Sequence, residues 1–195
     1  MNFVKEDKMN KTLKLLIISD IFVFSGFGLI SPILAIFIKD NLIGGTILTA
    51  GIASTIFLIT HSLLQILFAY EFNPKDRIWM LWLGTALIAL VPFGYIFSTQ
   101  IYHLYFVQLI YGTGAAFAYP SWSSLFTSNL EKGKRGFQWS IYSSSVGIGT
   151  AITAVIGAWI AEKTNFRLVF ILTGLLALLG LFILFRLEKK ILKKV

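Results

Sequence analysis

One acidic side chain, Asp20, stands well inside a long apolar run of this 195-residue chain. It lies about seven residues into the run 13–38, roughly 10 Å along a helix. Ionised near the middle of a membrane helix, an Asp costs about 2.5–3.5 kcal/mol on insertion scales. Such a group must face a cavity, find a partner or take up a proton, which makes Asp20 a candidate proton carrier. The plain alternative is a helix-end carboxylate that reaches interfacial water or pairs with Lys14 or Lys134. At 100° per residue, Asp20, Phe24, Phe27 and Ser31 share one helix face. That face is polar at two levels and aromatic between them. It suits a solute with an apolar body and a polar or charged group, although two phenylalanines also fit ordinary packing.

His61 falls near the middle of a second run, with Gln65 one turn on and Ser54 two turns back. An imidazole at that depth can relay protons near neutral pH; the alternative is a neutral His bonded to a neighbouring helix. Gln108, Gly112, Ala115 and Tyr119 form a comparable face further along, and Gln108 and Tyr119 can bond a solute without net charge. Ser145, Gly149, Thr153 and Gly157 recur every four residues. Small residues at that spacing let helices approach closely, so this ladder is read as helix packing and as a place where two helices slide.

Other chemistries are absent from the pattern. There is no cysteine, hence no disulfide and no thiolate site. The two histidines, His61 and His103, do not stand four apart as H-E-x-x-H requires, and no G-x-x-x-x-G-K phosphate loop occurs. The serines stand in no G-x-S-x-G-like setting. The sequence therefore predicts no enzyme, no metal and no cofactor.

The residues above need elements to hold them. Six apolar runs cover 13–38, 47–70, 78–98, 104–128, 136–160 and 166–187. Each is long enough to cross about 30 Å of hydrocarbon as a helix. Fourteen of the seventeen Lys and Arg residues lie on one side of these runs; only Lys39, Lys163 and Arg167 lie on the other. Cytoplasmic loops keep basic residues, so both termini are expected in the cytoplasm and the chain in the plasma (inner) membrane as a multi-pass protein. Hydrophobic residues make up 56% and charged ones 13%, too few polar groups to clothe a soluble domain. The net charge of +8 is read as this loop asymmetry plus attraction to anionic lipid, not as a nucleic-acid surface. The first run is too long and unbroken for a cleavable signal peptide. The division is a cytoplasmic tail over 1–12, a membrane domain over 13–187 and a basic cytoplasmic tail over 188–195.

A shift of 88 residues lays the first run on the fourth. Asp20 meets Gln108, Gly26 meets Gly114 and Pro32 meets Pro120. Both carry Gly-x-Gly, as Gly26-Phe27-Gly28 and Gly112-Thr113-Gly114. Two three-helix units of opposite orientation follow, a 3+3 inverted repeat of the kind found in transporters. Gly and Pro are also simply common in membrane helices.

The stretch Asp20 to Leu34, with Gly26-Phe27-Gly28-Leu29-Ile30-Ser31-Pro32, resembles the first helix of major facilitator superfamily transporters, in the drug/proton antiporter branch. Gln108 through Pro120 is similar to the family's R-x-x-x-G-x-G segment, and Asn165-Phe166-Arg167 to its G-W-R. Three departures stand out. Tyr70 to Arg77 lacks the glycines of the family's second loop, Gln108 replaces its arginine, and Thr153 to Ala158 lacks its G-P-x-x-G-G proline.

The resemblance implies an all-helical membrane protein corresponding to the N-terminal six-helix half of a twelve-helix fold. It implies secondary transport of a small solute, with coupling to protons through Asp20 as one option, and a homodimer in which two copies replace the two halves. A non-transporting half that pairs with another membrane chain is the alternative.

Overall fold

The computed structural model describes residues 9–72 and 78–191, the side chains of 188–191 excepted. Most of the two expected tails and the basic loop residues Lys75 and Arg77 lie outside the described residues. Among the described residues there are seven α-helices: α1 (Lys11–Ile30), α2 (Leu34–Asn41), α3 (Ile47–Phe72), α4 (Ile78–Phe97), α5 (Ile101–Ser128), α6 (Arg135–Lys163) and α7 (Phe166–Ile191). Among the described residues there is no strand, only an isolated bridge between Ile43 and Gln100.

Among the described residues, five helices, α1, α3, α4, α6 and α7, are long and apolar enough to cross a membrane. The expected span over 104–128 folds as α5. Its 28 residues suffice in length, but Gln108, Thr113, Pro120 and several Ser and Tyr residues dilute its apolar character.

The run 13–38 is not one helix, which corrects the sequence reading. Asn10 starts α1 by accepting from the Thr12 N–H at 3.1 Å. Pro32 then removes a donor from the ladder. The Ile33 N–H turns back to the Ile30 carbonyl at 3.0 Å, a tighter i−3 bond, before α2 resumes. Pro120, the repeat partner of Pro32, stays inside α5 without such a break.

Two helices organise the rest. α1 packs on α6 and α7, α5 packs on α3 and α4, and α4 meets α7. Small residues permit these approaches. A Cβ on Gly26 would press on Thr173 of α7, and one on Gly28 would overlap Thr150 and Thr153 of α6. In α5, a Cβ on Gly112 would strike Phe57 and Thr60 of α3, and one on Gly114 would strike Gly84 and Leu87 of α4. Hydroxyls bridge the same seams: Thr173 Oγ1 donates to the Gly26 carbonyl and Ser19 Oγ to the Gly180 carbonyl, both at 2.9 Å. Such bonds contribute on average about 0.6 kcal/mol each in membrane bundles.

α3 and α6 remain open on their outer faces. Ala53 is the single buried residue named in α3, and Gln138 and Gly157 are those in α6. Leu63, Ile66, Val155 and Trp159 are each more than half exposed. The structure therefore has a packed centre of α1, α4, α5 and α7, flanked by two apolar helices with little to cover them.

Candidate functional site

Asp20 sits halfway along α1 and looks towards α6. The Tyr142 hydroxyl donates to Asp20 Oδ2 at 2.9 Å. Both residues line a small cavity of about 50 Å³ with Val23, Phe24, Thr85 and Trp122 among its walls. Tyr119 also borders it, although that side chain is 48% exposed. The indole Nε1 of Trp122 is buried without a hydrogen-bond partner. Aromatic rings close the inner side: Trp122 stacks on Phe126 at 4.6 Å and tilts against Tyr142 at 4.8 Å.

Above this chamber lies a layer of rings. Phe27 of α1 stacks on Tyr111 of α5 at 4.9 Å between centroids, and Tyr111 stacks on Phe57 of α3 at 4.2 Å. Phe57 continues to His61 at 5.9 Å, and His61 to Tyr119 at 5.3 Å. His61 Nε2 is buried and unpartnered. The imidazole thus touches the rim of the Asp20 chamber through Tyr119, a connection that helix faces alone did not establish.

A second cavity of about 310 Å³ opens on the far side of the rings. Ser31, Leu34, Ser54, Phe57, Tyr95 and Gln108 are among its walls. Gln108 is only 3% exposed. Its Nε2 donates to the Tyr95 hydroxyl at 3.3 Å, while Oε1 has no partner. The arrangement is a stack of three levels: a carboxyl–phenol pair, an aromatic septum and an uncharged polar chamber.

The family model of the Major Facilitator Superfamily matches residues 16–195. The chain belongs to this superfamily. It is similar to the multi-drug resistance efflux pump PmrA of Streptococcus pneumoniae, 28% identical over 152 residues, which cover 77% of this chain and 38% of the relative. A PmrA homolog of Lactococcus lactis is 25% identical over 95% of this chain and 46% of its own length. An uncharacterized MFS-type transporter of Methanocaldococcus jannaschii, MJ1560, is 23% identical over 89% of this chain and 44% of its own. The chain spans less than half the length of these curated relatives. Membership makes it an integral multi-pass membrane protein of a transporter family, and that family is not one of enzymes.

This superfamily member distributes the expected residues unevenly. Asp20 and Phe24 reach the inner chamber, whereas Phe27 and Ser31, on the same helix face, line the outer one. Gln65 borders a separate surface recess with Ala69, Pro120 and Ser123. Within the ladder, a Cβ on Gly149 would meet Ser25 of α1, and one on Gly157 would overlap the Leu29 backbone. Thr153 lies against Gly28. Ser145 is partly buried on the same helix, between Tyr142 and Gly149.

Tyr142, Trp122, Tyr111, Phe57 and Tyr95 were not singled out from the sequence. Tyr142 had a readable signal, because it stands three residues before Ser145 and extends the ladder's face by one turn. The ring layer had none, since its members come from three helices.

Proposed function

We propose that the chain is one six-helix half of a secondary transporter that moves a small solute across the plasma membrane, linked to protons through Asp20. The observation that carries this reading is the Asp20–Tyr142 pair at the wall of a chamber inside a membrane helix bundle. A carboxyl at that depth is costly to keep for structure alone. Its phenolic partner lies on a different helix, so a change in its proton occupancy acts on the α1–α6 contact. His61 and Tyr119 supply a route towards it from α3.

The packing supports a 3+3 inverted repeat. Exchanging α1 with α5, α3 with α6 and α4 with α7 maps the α1–α7 contact onto α5–α4 and the α1–α6 contact onto α5–α3. The glycines obey the same exchange. Gly26 abuts α7 as Gly114 abuts α4, and Gly28 abuts α6 as Gly112 abuts α3. Transport by such folds rocks one bundle against another about a midplane site. The uncovered faces of α3 and α6 fit a second six-helix unit, which we take to be another copy of this chain in a two-fold homodimer. The efflux named for the PmrA relatives is carried to this chain as the direction of movement. Loop charge puts both termini in the cytoplasm, and the membrane domain is taken to run over 13–187.

Reconstitution into liposomes tests the proposal. Solutes are screened with and without a pH gradient, for the native chain and for Asp20→Asn. The native chain should accumulate at least one solute in a gradient-dependent way, and the variant should insert normally but lose that dependence. Unchanged coupling in Asp20→Asn would remove Asp20 from the mechanism. Absence of a self-crosslinked dimer in membranes would remove the homodimer.

A further inference from the structure

The two chambers differ in size and in chemistry. The Asp20 chamber, at about 50 Å³, has room for a few waters at roughly 10–15 Å³ each. Ligand pockets begin near 300 Å³, a size the outer chamber reaches at about 310 Å³. Among the described residues, no Asp, Glu, Lys, Arg or His lines the outer chamber. Its buried Gln108 instead offers an unpartnered acceptor, Oε1. A buried acceptor without a donor costs about 1–3 kcal/mol, a cost that an arriving N–H or O–H removes. Phe27, Tyr111 and Phe57 lie beside this acceptor with apolar faces, and their stacked rings stand between the two spaces.

We propose that solute and proton use separate chambers. The outer chamber takes an uncharged solute, its N–H or O–H donor against Gln108 Oε1 and its apolar body against Phe27, Phe57 and Tyr111; the Asp20 chamber admits only water and protons. The inference rests on the transport reading above, but its test reads chamber size and ligand chemistry without any transport.

The chain has no cysteine, so single cysteines report cleanly. Ser54→Cys marks the outer chamber and Thr85→Cys the inner one, with Val23→Cys as a second inner marker should Thr85→Cys fail to fold. The full chain in liposomes is treated with methyl and benzyl methanethiosulfonate. Ser54→Cys should react readily with both reagents. The inner cysteine should react with the methyl reagent at least tenfold faster than with the benzyl one, and adding Tyr111→Ala should abolish that preference. Equal benzyl rates at both positions with Tyr111 intact would overturn the separation.

Acetanilide, neutral with one N–H, should slow benzyl labelling of Ser54→Cys, and Gln108→Leu should cancel the protection. N-methylacetanilide, which lacks the donor, and phenethylammonium, which is charged, should not protect. Protection by either of these, or none by acetanilide, would overturn the Gln108 assignment. A chain that keeps its size selectivity yet moves no solute counts against the transport proposal alone.

Discussion

The Tyr142 hydroxyl and Asp20 Oδ2 meet at 2.9 Å across the seam between α6 and α1. Close approaches at Gly28, Gly149 and Gly157, to backbone at Gly28 and Gly157 and to the Ser25 side chain at Gly149, run along the same seam. One polar clasp therefore sits at the inner end of a row of small residues. A bond to an ionised group contributes about 1.5–3 kcal/mol, whereas neutral bonds between membrane helices average about 0.6 kcal/mol. Tyr142→Phe should lower the thermal midpoint in detergent. Asp20→Asn keeps an acceptor but no charge, so Tyr142→Phe should cost less in that background. A double-mutant cycle reads the difference, expected at about 1 kcal/mol. Equal losses in the two backgrounds would show that no charge-dependent bond joins the pair.

Two glycines of α6 make opposite predictions. A Cβ on Gly157 would overlap the Leu29 backbone, and backbone cannot swing aside as a side-chain end can. Gly157→Val should therefore destabilise by about 1–3 kcal/mol through overpacking and open the α1–α6 seam. Among the described residues, nothing beyond its own helix backbone and chain neighbours lies within 4 Å of a Cβ on Gly147. Gly147→Ala should leave stability unchanged or raise it by up to about 1 kcal/mol, the helix-propensity gain. Thermal unfolding of both variants, with the native chain as reference, decides the matter.

How far the sequence carries can be judged residue by residue. Apolar length, loop charge and the Gly-x-Gly pairs announce helices, family and the helix contacts that glycines permit, because these are local properties of a run. Asp20 is legible for the same reason: one carboxyl in hydrocarbon is conspicuous wherever the helix points. Its partner is harder to read, since Tyr142 stands 122 positions away. The split at Pro32 and the continuity through Pro120 show the limit of local rules. Both prolines remove a donor, and what each helix does next depends on its neighbours. The division of the Asp20 face between two chambers lay beyond reach, because Tyr111 and Phe57 intrude from other helices to divide it.

Gln108 and Tyr95 form a buried pair in which one amide end is satisfied and the other is not. Gln108→Leu alone strands the Tyr95 hydroxyl, which is 1% exposed overall as a residue. That variant should be about 1–3 kcal/mol less stable than its Tyr95→Phe derivative, the cost of an unsatisfied buried group; loss of the unpaired Oε1 offsets part of this cost against the native chain. Adding Tyr95→Phe removes the stranded group, and stability should return to the native level or exceed it. Solute protection of the outer chamber should not return with it. Recovery of stability without recovery of binding separates a polar group kept for a ligand from one kept for the fold, and thermal unfolding beside the labelling assay measures both.

The orientation proposed from loop charge can be tested at the helix ends. Gly136, in the first turn of α6, is exposed, and among the described residues nothing beyond its own helix backbone and chain neighbours lies within 4 Å of its Cβ position. Tyr102, in the first turn of α5, is 71% exposed at the opposite end of the bundle. Basic residues crowd the Gly136 side: Lys132, Lys134 and Arg135 precede it directly. In the proposed orientation, with such residues held back in the cytoplasm, Gly136 is expected inside and Tyr102 outside. With no native cysteine to interfere, Tyr102→Cys should react with an impermeant maleimide on intact cells. Gly136→Cys should react only after permeabilisation or in inside-out vesicles. The reverse pattern would invert the bundle, turn the Asp20 chamber towards the outside and make export through the outer chamber geometrically backward.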